Sequence, residues 1–136
     1  MRRLLSLFAL PLLLSLPLAG HAGPDVLRIG ASQALMPTLE PLVDRYQLDT
    51  HNKVLLIGGA NEELGEQVRQ GTPYDLLLSA QPAPLTQLHH QGHGEKPLPV
   101  GCKAQPMQEL TLVRGDRHEL ATHFLDYLKQ HHCNEH

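Results

Sequence analysis

Between residues 26 and 80, three short apolar segments alternate with two segments of helical periodicity. Residues 26–29, 53–57 and 75–78 are rich in branched aliphatic side chains and are predicted to be strands. Residues 35–46 and 62–70 carry apolar side chains three and four positions apart, which predicts amphipathic helices. Because each helix is long enough for a right-handed crossover, the three strands should lie parallel. We therefore expect an α/β fold with a mostly parallel sheet flanked by helices.

The rest of the chain adds a few further elements. A short helix is expected around residues 85–90, and residues 91–106 form a Gly- and Pro-rich connection. A fourth strand is predicted at 110–113, and a last helix follows Asp116. The sequence shows no internal repeat, so we expect a single lobe over residues 23–136.

The first 22 residues have the pattern of an export signal. Arg2 and Arg3 precede an apolar run over residues 4–18, and small residues follow up to Ala22. The run is too short to span a bilayer and contains two prolines. We expect cleavage near Ala22 and a periplasmic or secreted mature protein.

The charge of the expected mature chain argues against several functions. Loss of Arg2 and Arg3 leaves 9 of the 11 basic residues against 14 acidic ones, a formal net charge of −5. An acidic domain does not favour nucleic acid as a partner. No segment after residue 22 is long and apolar enough for membrane insertion. Sequence motifs of common enzyme classes are absent, so we do not expect an enzyme.

Small residues follow the first two predicted strands, where ligands of parallel α/β sheets usually bind. Ala31 and Ser32 end the first strand, and Ala60 and Asn61 follow the second. Both pairs lead directly into helix N-termini, whose unpaired N–H groups favour anions. The sequence therefore predicts an oxyanion site at these four residues, made of neutral donors. The alternative is that Ser32 and Asn61 only cap the helices.

Longer stretches of the chain resemble the periplasmic molybdate-binding family of solute-binding proteins. The resemblance lies in IGAS followed by LMPTLEPLVDRY, in VLLIGGANEELGEQVRQGTPYDLLLSA, and in the strand and helix near the C-terminus. It covers residues 26–90 and 106–130. The resemblance implies a tetrahedral oxyanion such as molybdate or tungstate as ligand, with Ser32 and Asn61 in ligand-binding positions. It also implies an ABC-type permease as partner in uptake or sensing.

This chain departs from the family pattern at two places. Asn61 stands where the family has a ligand-binding serine. The connection 91–106 stands where family members have a whole second lobe. The resemblance therefore covers one lobe only. A second copy of the chain, forming a self-dimer, is one way to cover the open half-site.

Histidines and cysteines suggest a different function. Six histidines form two groups in the sequence, one around the third helix and one at the C-terminus: His89, His90, His93, His131, His132 and His136. Imidazole suits Cu, Zn and Ni, so periplasmic metal binding is an alternative to oxyanion binding. Cys102 and Cys133 form an even pair, which predicts a disulfide in an oxidising compartment. A third alternative is a protein-interaction adaptor that uses the surface left by the missing lobe.

Overall fold

The computed structural model describes residues 26–102 and 105–132. The predicted export signal and its cleavage site lie outside these residues, as do Cys133 and His136. The predicted disulfide between Cys102 and Cys133 therefore stays a prediction. Within the described residues, no helix has the length and apolar character needed to cross a membrane.

Strands and helices alternate as the sequence predicts. The strands are β1 (Val26–Ser32), β2 (Lys53–Gly59), β3 (Leu76–Ser79), β4 (Leu98–Pro99) and β5 (Gln108–Thr111). The helices are α1 (Met36–Thr50), α2 (Asn61–Arg69), α3 (Pro82–His90) and α4 (Asp116–His132), with a short 3-10 turn (Gln33–Leu35) before α1. Pro41 lies inside α1, which nevertheless runs as one helix to Thr50.

The five strands form one mixed sheet in the order β2-β1-β3-β5-β4. β1 pairs in parallel with both β2 and β3, as predicted for a crossover fold. β5 is antiparallel to both of its neighbours, β3 and β4. β4 was not predicted, and the fourth predicted strand lies two residues earlier, at 108–111. The connection 91–106 thus includes an edge strand that turns back onto β5.

Two apolar clusters cover the two faces of the sheet. On one face, α1 and α4 pack over β1 and β3, where Tyr46 meets the ring of Phe124 edge-on at 5.1 Å. On the other face, α2 and α3 pack over Leu77 and Leu110. Gly30 faces this second cluster, and a Cβ there would lie 2.8 Å from a methyl carbon of Leu77. A glycine at this position therefore lets the α2 side pack closely onto β1.

A buried ion pair joins the amino-terminal ends of the parallel strands to α4. Asp75 is 2% exposed, and Arg117 donates to both of its carboxylate oxygens, at 2.7 and 2.6 Å. The backbone N–H of Arg28 donates to the same carboxylate at 2.7 Å. Arg117 also donates to the carbonyl of Val26, the first residue of β1. We call this side of the sheet the lower edge and the carboxyl ends of β1 to β3 the upper edge.

We expect Asp75→Ala to lower the free energy of unfolding by about 3 kcal/mol, because it leaves the Arg117 guanidinium without its buried counter-charge. Urea denaturation followed by circular dichroism would measure the change. Glu66→Gln is the matched control, since it removes only the partner of Arg69 in an ion pair at the surface, 3.5 Å apart. That control should lose less than about 1 kcal/mol. Equal losses in the two variants would contradict the anchoring role of Asp75.

A second buried carboxyl lies on β5, on the face covered by α1 and α4. Glu109 is 7% exposed, and Thr111 donates a hydrogen bond to its Oε1 at 2.9 Å. Burial raises the pKa of Glu109 above its ordinary value of 4.5, and the charge of Glu95 adds to this rise. The hydrogen bond from Thr111 and the charges of Lys129 and His118 lower the pKa, but by less. The folded protein thus holds this proton more tightly than the unfolded chain does.

This shift of the Glu109 pKa predicts a pH dependence of stability. Above pH 4.5 the unfolded chain releases the Glu109 proton first, so the contribution of this group to stability falls as pH rises toward the raised folded pKa. Glu109→Gln keeps an acceptor for Thr111 and cannot ionise. Urea midpoints measured from pH 4.5 upward should therefore decline less with rising pH in Glu109→Gln than in the wild type. The exposed control Glu40→Gln should show the same decline of the midpoint as the wild type. A parallel decline in Glu109→Gln would contradict the prediction.

Candidate functional site

The upper edge brings together the polar residues that end the parallel strands. Ser32 is the last residue of β1, and Asn61 is the first residue of α2 after β2. The Ser32 hydroxyl donates to Asn61 Oδ1 at 2.9 Å and lies 3.4 Å from the carbonyl of Leu78. The two residues are 29 positions apart in sequence, so the sheet places them together.

Ser79 is a third member of this group. The sequence places it at the end of the third predicted strand, but the predicted oxyanion site did not include it. It ends β3 and is 1% exposed. Its hydroxyl donates to Asn61 Oδ1 at 3.3 Å and accepts the backbone N–H of Gln81 at 3.0 Å. The signal that could have found it is its position, since it ends the third parallel strand as Ser32 ends the first.

The structure does not support the alternative that Ser32 and Asn61 only cap the helices. Ser32 precedes the 3-10 turn but makes no side-chain capping hydrogen bond there. The N-cap of α2 is Ala60 rather than Asn61, and Ala60 has no side-chain oxygen with which to cap. The hydroxyls of Ser32 and Ser79 hold the Asn61 carbonyl oxygen instead. The polar side chains of the upper edge are therefore bonded to one another.

In this arrangement, N–H groups at the upper edge could donate hydrogen bonds to a ligand. With its oxygen held by two hydroxyls, Asn61 has its amide nitrogen on the opposite side, and the described part of the chain provides no acceptor for it. The first helical hydrogen bond of α2 is from Leu64 to Ala60, so the N–H groups of residues 61–63 precede the hydrogen-bonded helix. Ala60 is exposed beside them, whereas Ala31 is fully buried in the core. Of the four predicted residues, the two alanines can offer only backbone groups, and Ala31 lies inside the sheet between β2 and β3.

The charged side chains beside these donors are negative. Glu62 and Glu63 lie in the first turn of α2, and both are exposed. The two carboxylates stabilise the helix N-terminus but oppose the approach of an anion. Anion binding here would depend on short hydrogen bonds from neutral donors.

The predicted metal ligands do not come together among the described residues. His89 and His90 are on α3, while His131 and His132 end α4 on the opposite face of the sheet. The His131 ring stacks on Tyr127 at 3.9 Å, and His89 Nδ1 lies 3.1 Å from the carbonyl of Gly94. Within residues 26–102 and 105–132, no three His, Cys, Asp or Glu side chains are placed to hold a metal ion. Since His136 lies outside these residues, the metal hypothesis stays a prediction.

Comparison with known proteins places the chain in a family. Residues 27–106 match the family of bacterial extracellular solute-binding proteins, which is more than half of the 136 residues. The chain belongs to this family. Among curated proteins, none matches the sequence significantly.

Solved structures with the same fold include a molybdate-binding protein and a domain from a molybdenum transporter. The periplasmic molybdate-binding protein of Azotobacter vinelandii is 22% identical with a TM-score of 0.51, over 54% of this chain and 33% of that one. A substrate-binding domain assigned to a molybdenum ABC transporter of Clostridium difficile is 24% identical with a TM-score of 0.52, over 56% and 34%. These likenesses confirm the periplasmic-binding-protein-like fold. The matched part of the chain spans about a third of each relative's length.

We expect the hydrogen bond between Ser32 and Asn61 to appear as coupling in a double-mutant cycle. Ser32→Ala and Asn61→Ala should together cost about 0.5–1.5 kcal/mol less in unfolding free energy than the sum of the single changes, because each single change already removes the shared bond. Urea denaturation of the four proteins measures the difference. Additive losses would instead favour two independent side chains, as the capping alternative predicts.

Proposed function

We propose that this protein is an exported solute-binding protein that holds a tetrahedral oxyanion of the molybdate or tungstate type at the upper edge. The observation that carries the proposal is the hydrogen-bonded group of Ser32, Asn61 and Ser79 beside the N-terminus of α2. Membership of a solute-binding family and the shared fold with a molybdate-binding protein support it. Binding without catalysis agrees with that family.

Asn61 is the main ligand-binding residue in this proposal. The two hydroxyls hold its oxygen, so its amide N–H groups and the first N–H groups of α2 are available to the ligand. Such a site offers donors, which suits an oxyanion that carries no proton of its own. Phosphate carries one or two protons near neutral pH and should bind less well than molybdate.

The site as described covers only one side of a ligand. The short connection 91–106 replaces the second lobe that closes over the ligand in a two-lobed binding protein, and it forms the β4–β5 edge instead. An anion held by one lobe stays partly in water, so we expect weak binding by the isolated chain. A second copy or an ABC-type permease that covers the site would strengthen it.

The decisive experiment is calorimetric titration of the purified protein with molybdate, with phosphate as the comparison anion. Asn61→Asp keeps an oxygen that accepts from Ser32 and Ser79, but it replaces the amide donor with a negative charge. We expect it to weaken molybdate binding by about tenfold or more while the fold is retained. The double variant Ser32→Ala with Asn61→Ala should also lose molybdate affinity.

Asn52→Asp provides the matched control. It makes the same chemical change at a half-buried asparagine directly before β2, on the lower side of the sheet. Its molybdate affinity should equal that of the wild type. Unchanged affinity in Asn61→Asp would refute the oxyanion site. Heat with Zn²⁺ or Cu²⁺ and none with molybdate would favour the histidine alternative.

A further inference from the structure

A separate cavity of about 420 Å³ opens at the lower edge, at the opposite end of the strands from Ser32 and Asn61. The cavity reaches Arg28 on β1, four residues before Ser32, so the two places are about 13 Å apart along the strand. The cavity lies between the segment that leads into β3, the connection after α3 and the start of α4. Its volume is in the range of pockets that hold small molecules.

Positive charge is in excess in this cavity. Arg28 and Arg117 both line it, and Asp75 is the only acidic residue among the described residues of its wall. The Asp75 carboxylate already accepts three hydrogen bonds, two from Arg117 and one from the backbone of Arg28. Among the described residues of the wall, two guanidinium groups thus face one carboxylate and one positive charge is in excess, in a chain whose overall net charge is −3.

The side chain of Arg28 carries this remaining charge. Its Nε lies 3.8 Å from Asp75 Oδ2, too far for a hydrogen bond. Nε is buried and has no hydrogen-bond partner among the described residues. The Arg28 side chain as a whole is about one-third exposed and lines the cavity, so its guanidinium can donate to an acceptor bound there.

The other residues that line the cavity suit a small organic molecule rather than an inorganic ion. Tyr74, Val68 and Leu112 provide apolar surface beside the two arginines. The Tyr74 hydroxyl donates to Gln67, so the phenol is already occupied. Gly71, Gly92 and Gly94 also line the cavity, and all three have positive φ, between 80° and 94°. These bends leave parts of the wall without side chains.

We propose that the lower cavity binds a small organic acid, whose carboxylate or phosphate group pairs with Arg28 and whose body packs against Tyr74. This inference does not depend on the oxyanion site at the upper edge. It adds a second ligand of a different chemical class. Because Arg28 is about one-third exposed, the pairing should weaken as ionic strength rises.

The test is titration of the purified protein with benzoate and with phenyl phosphate, followed by amide NMR. Benzamide serves as the uncharged twin of benzoate. We expect saturable shifts at Gly71, Gly92 and Gly94 with at least one of the two anions, and much weaker shifts with benzamide. The stronger of the two anions identifies the head group. Shifts confined to Gly58, Gly59 and Asn61, or no saturable shift with either anion, would overturn the proposal.

Arg28→Gln tests the charge itself. The backbone N–H that holds Asp75 stays in this variant, so the fold should be retained. We expect anion affinity to fall by about tenfold or more, while molybdate binding at the upper edge is unchanged. Arg45→Gln removes the same charge from an exposed position on α1, which is not among the residues that line the lower cavity, and should bind the anions like the wild type. Wild-type affinity in Arg28→Gln would refute the site.

Discussion

The buried carboxylate of Asp75 holds together elements that the chain would otherwise leave apart. Its oxygens accept from the backbone of β1 and from the guanidinium of Arg117, which begins the last helix. Its backbone N–H donates to the carbonyl of Arg28 on β1, and its carbonyl accepts from Leu112, directly after β5. Because Arg117 is fastened at the lower edge, α4 lies across the sheet and places Phe124 against Tyr46. One side chain thus aligns the ends of β1 and β3 and positions the helix that closes the core.

The two edges of the sheet use different chemistry. The lower edge has full charges, and burial of Asp75 with Arg117 makes them part of the fold. The upper edge has hydroxyls, an amide and helix N–H groups, which carry no formal charge, with acids next to them. Neutral donors bind an anion weakly unless water is excluded, because in water they are already well solvated. For the proposed oxyanion, excluding water by covering the upper edge should therefore raise affinity more than additional N–H donors would.

The short connection after α3 explains how one lobe can be stable without another. Residues 98–99 pair with β5 as an edge strand, and Val100 and Met107 are buried under α1 and α4. The connection completes the sheet and the core instead of leading into a second lobe. The surface at the carboxyl ends of the strands stays open as a result. The chain belongs to a solute-binding family, and its described residues form a complete sheet with helices on both faces.

The sequence alone determined the strand and helix order from β1 to α3 and the parallel pairing of the first three strands. It also singled out Ser32 and Asn61, which the structure brings into hydrogen-bond contact and whose role in binding stays a prediction. Apolar periodicity and small residues after strands are local signals, and they can be read without coordinates. Only the tertiary structure decided the antiparallel β4 and β5, the addition of Ser79, and the pairing of Asp75 with Arg117, 42 residues apart. The sequence places Asp75 only at the start of a predicted strand, and nothing in the local pattern shows that its carboxylate is almost completely buried. These contacts join residues far apart in the chain, and packing rather than local propensity brings them together.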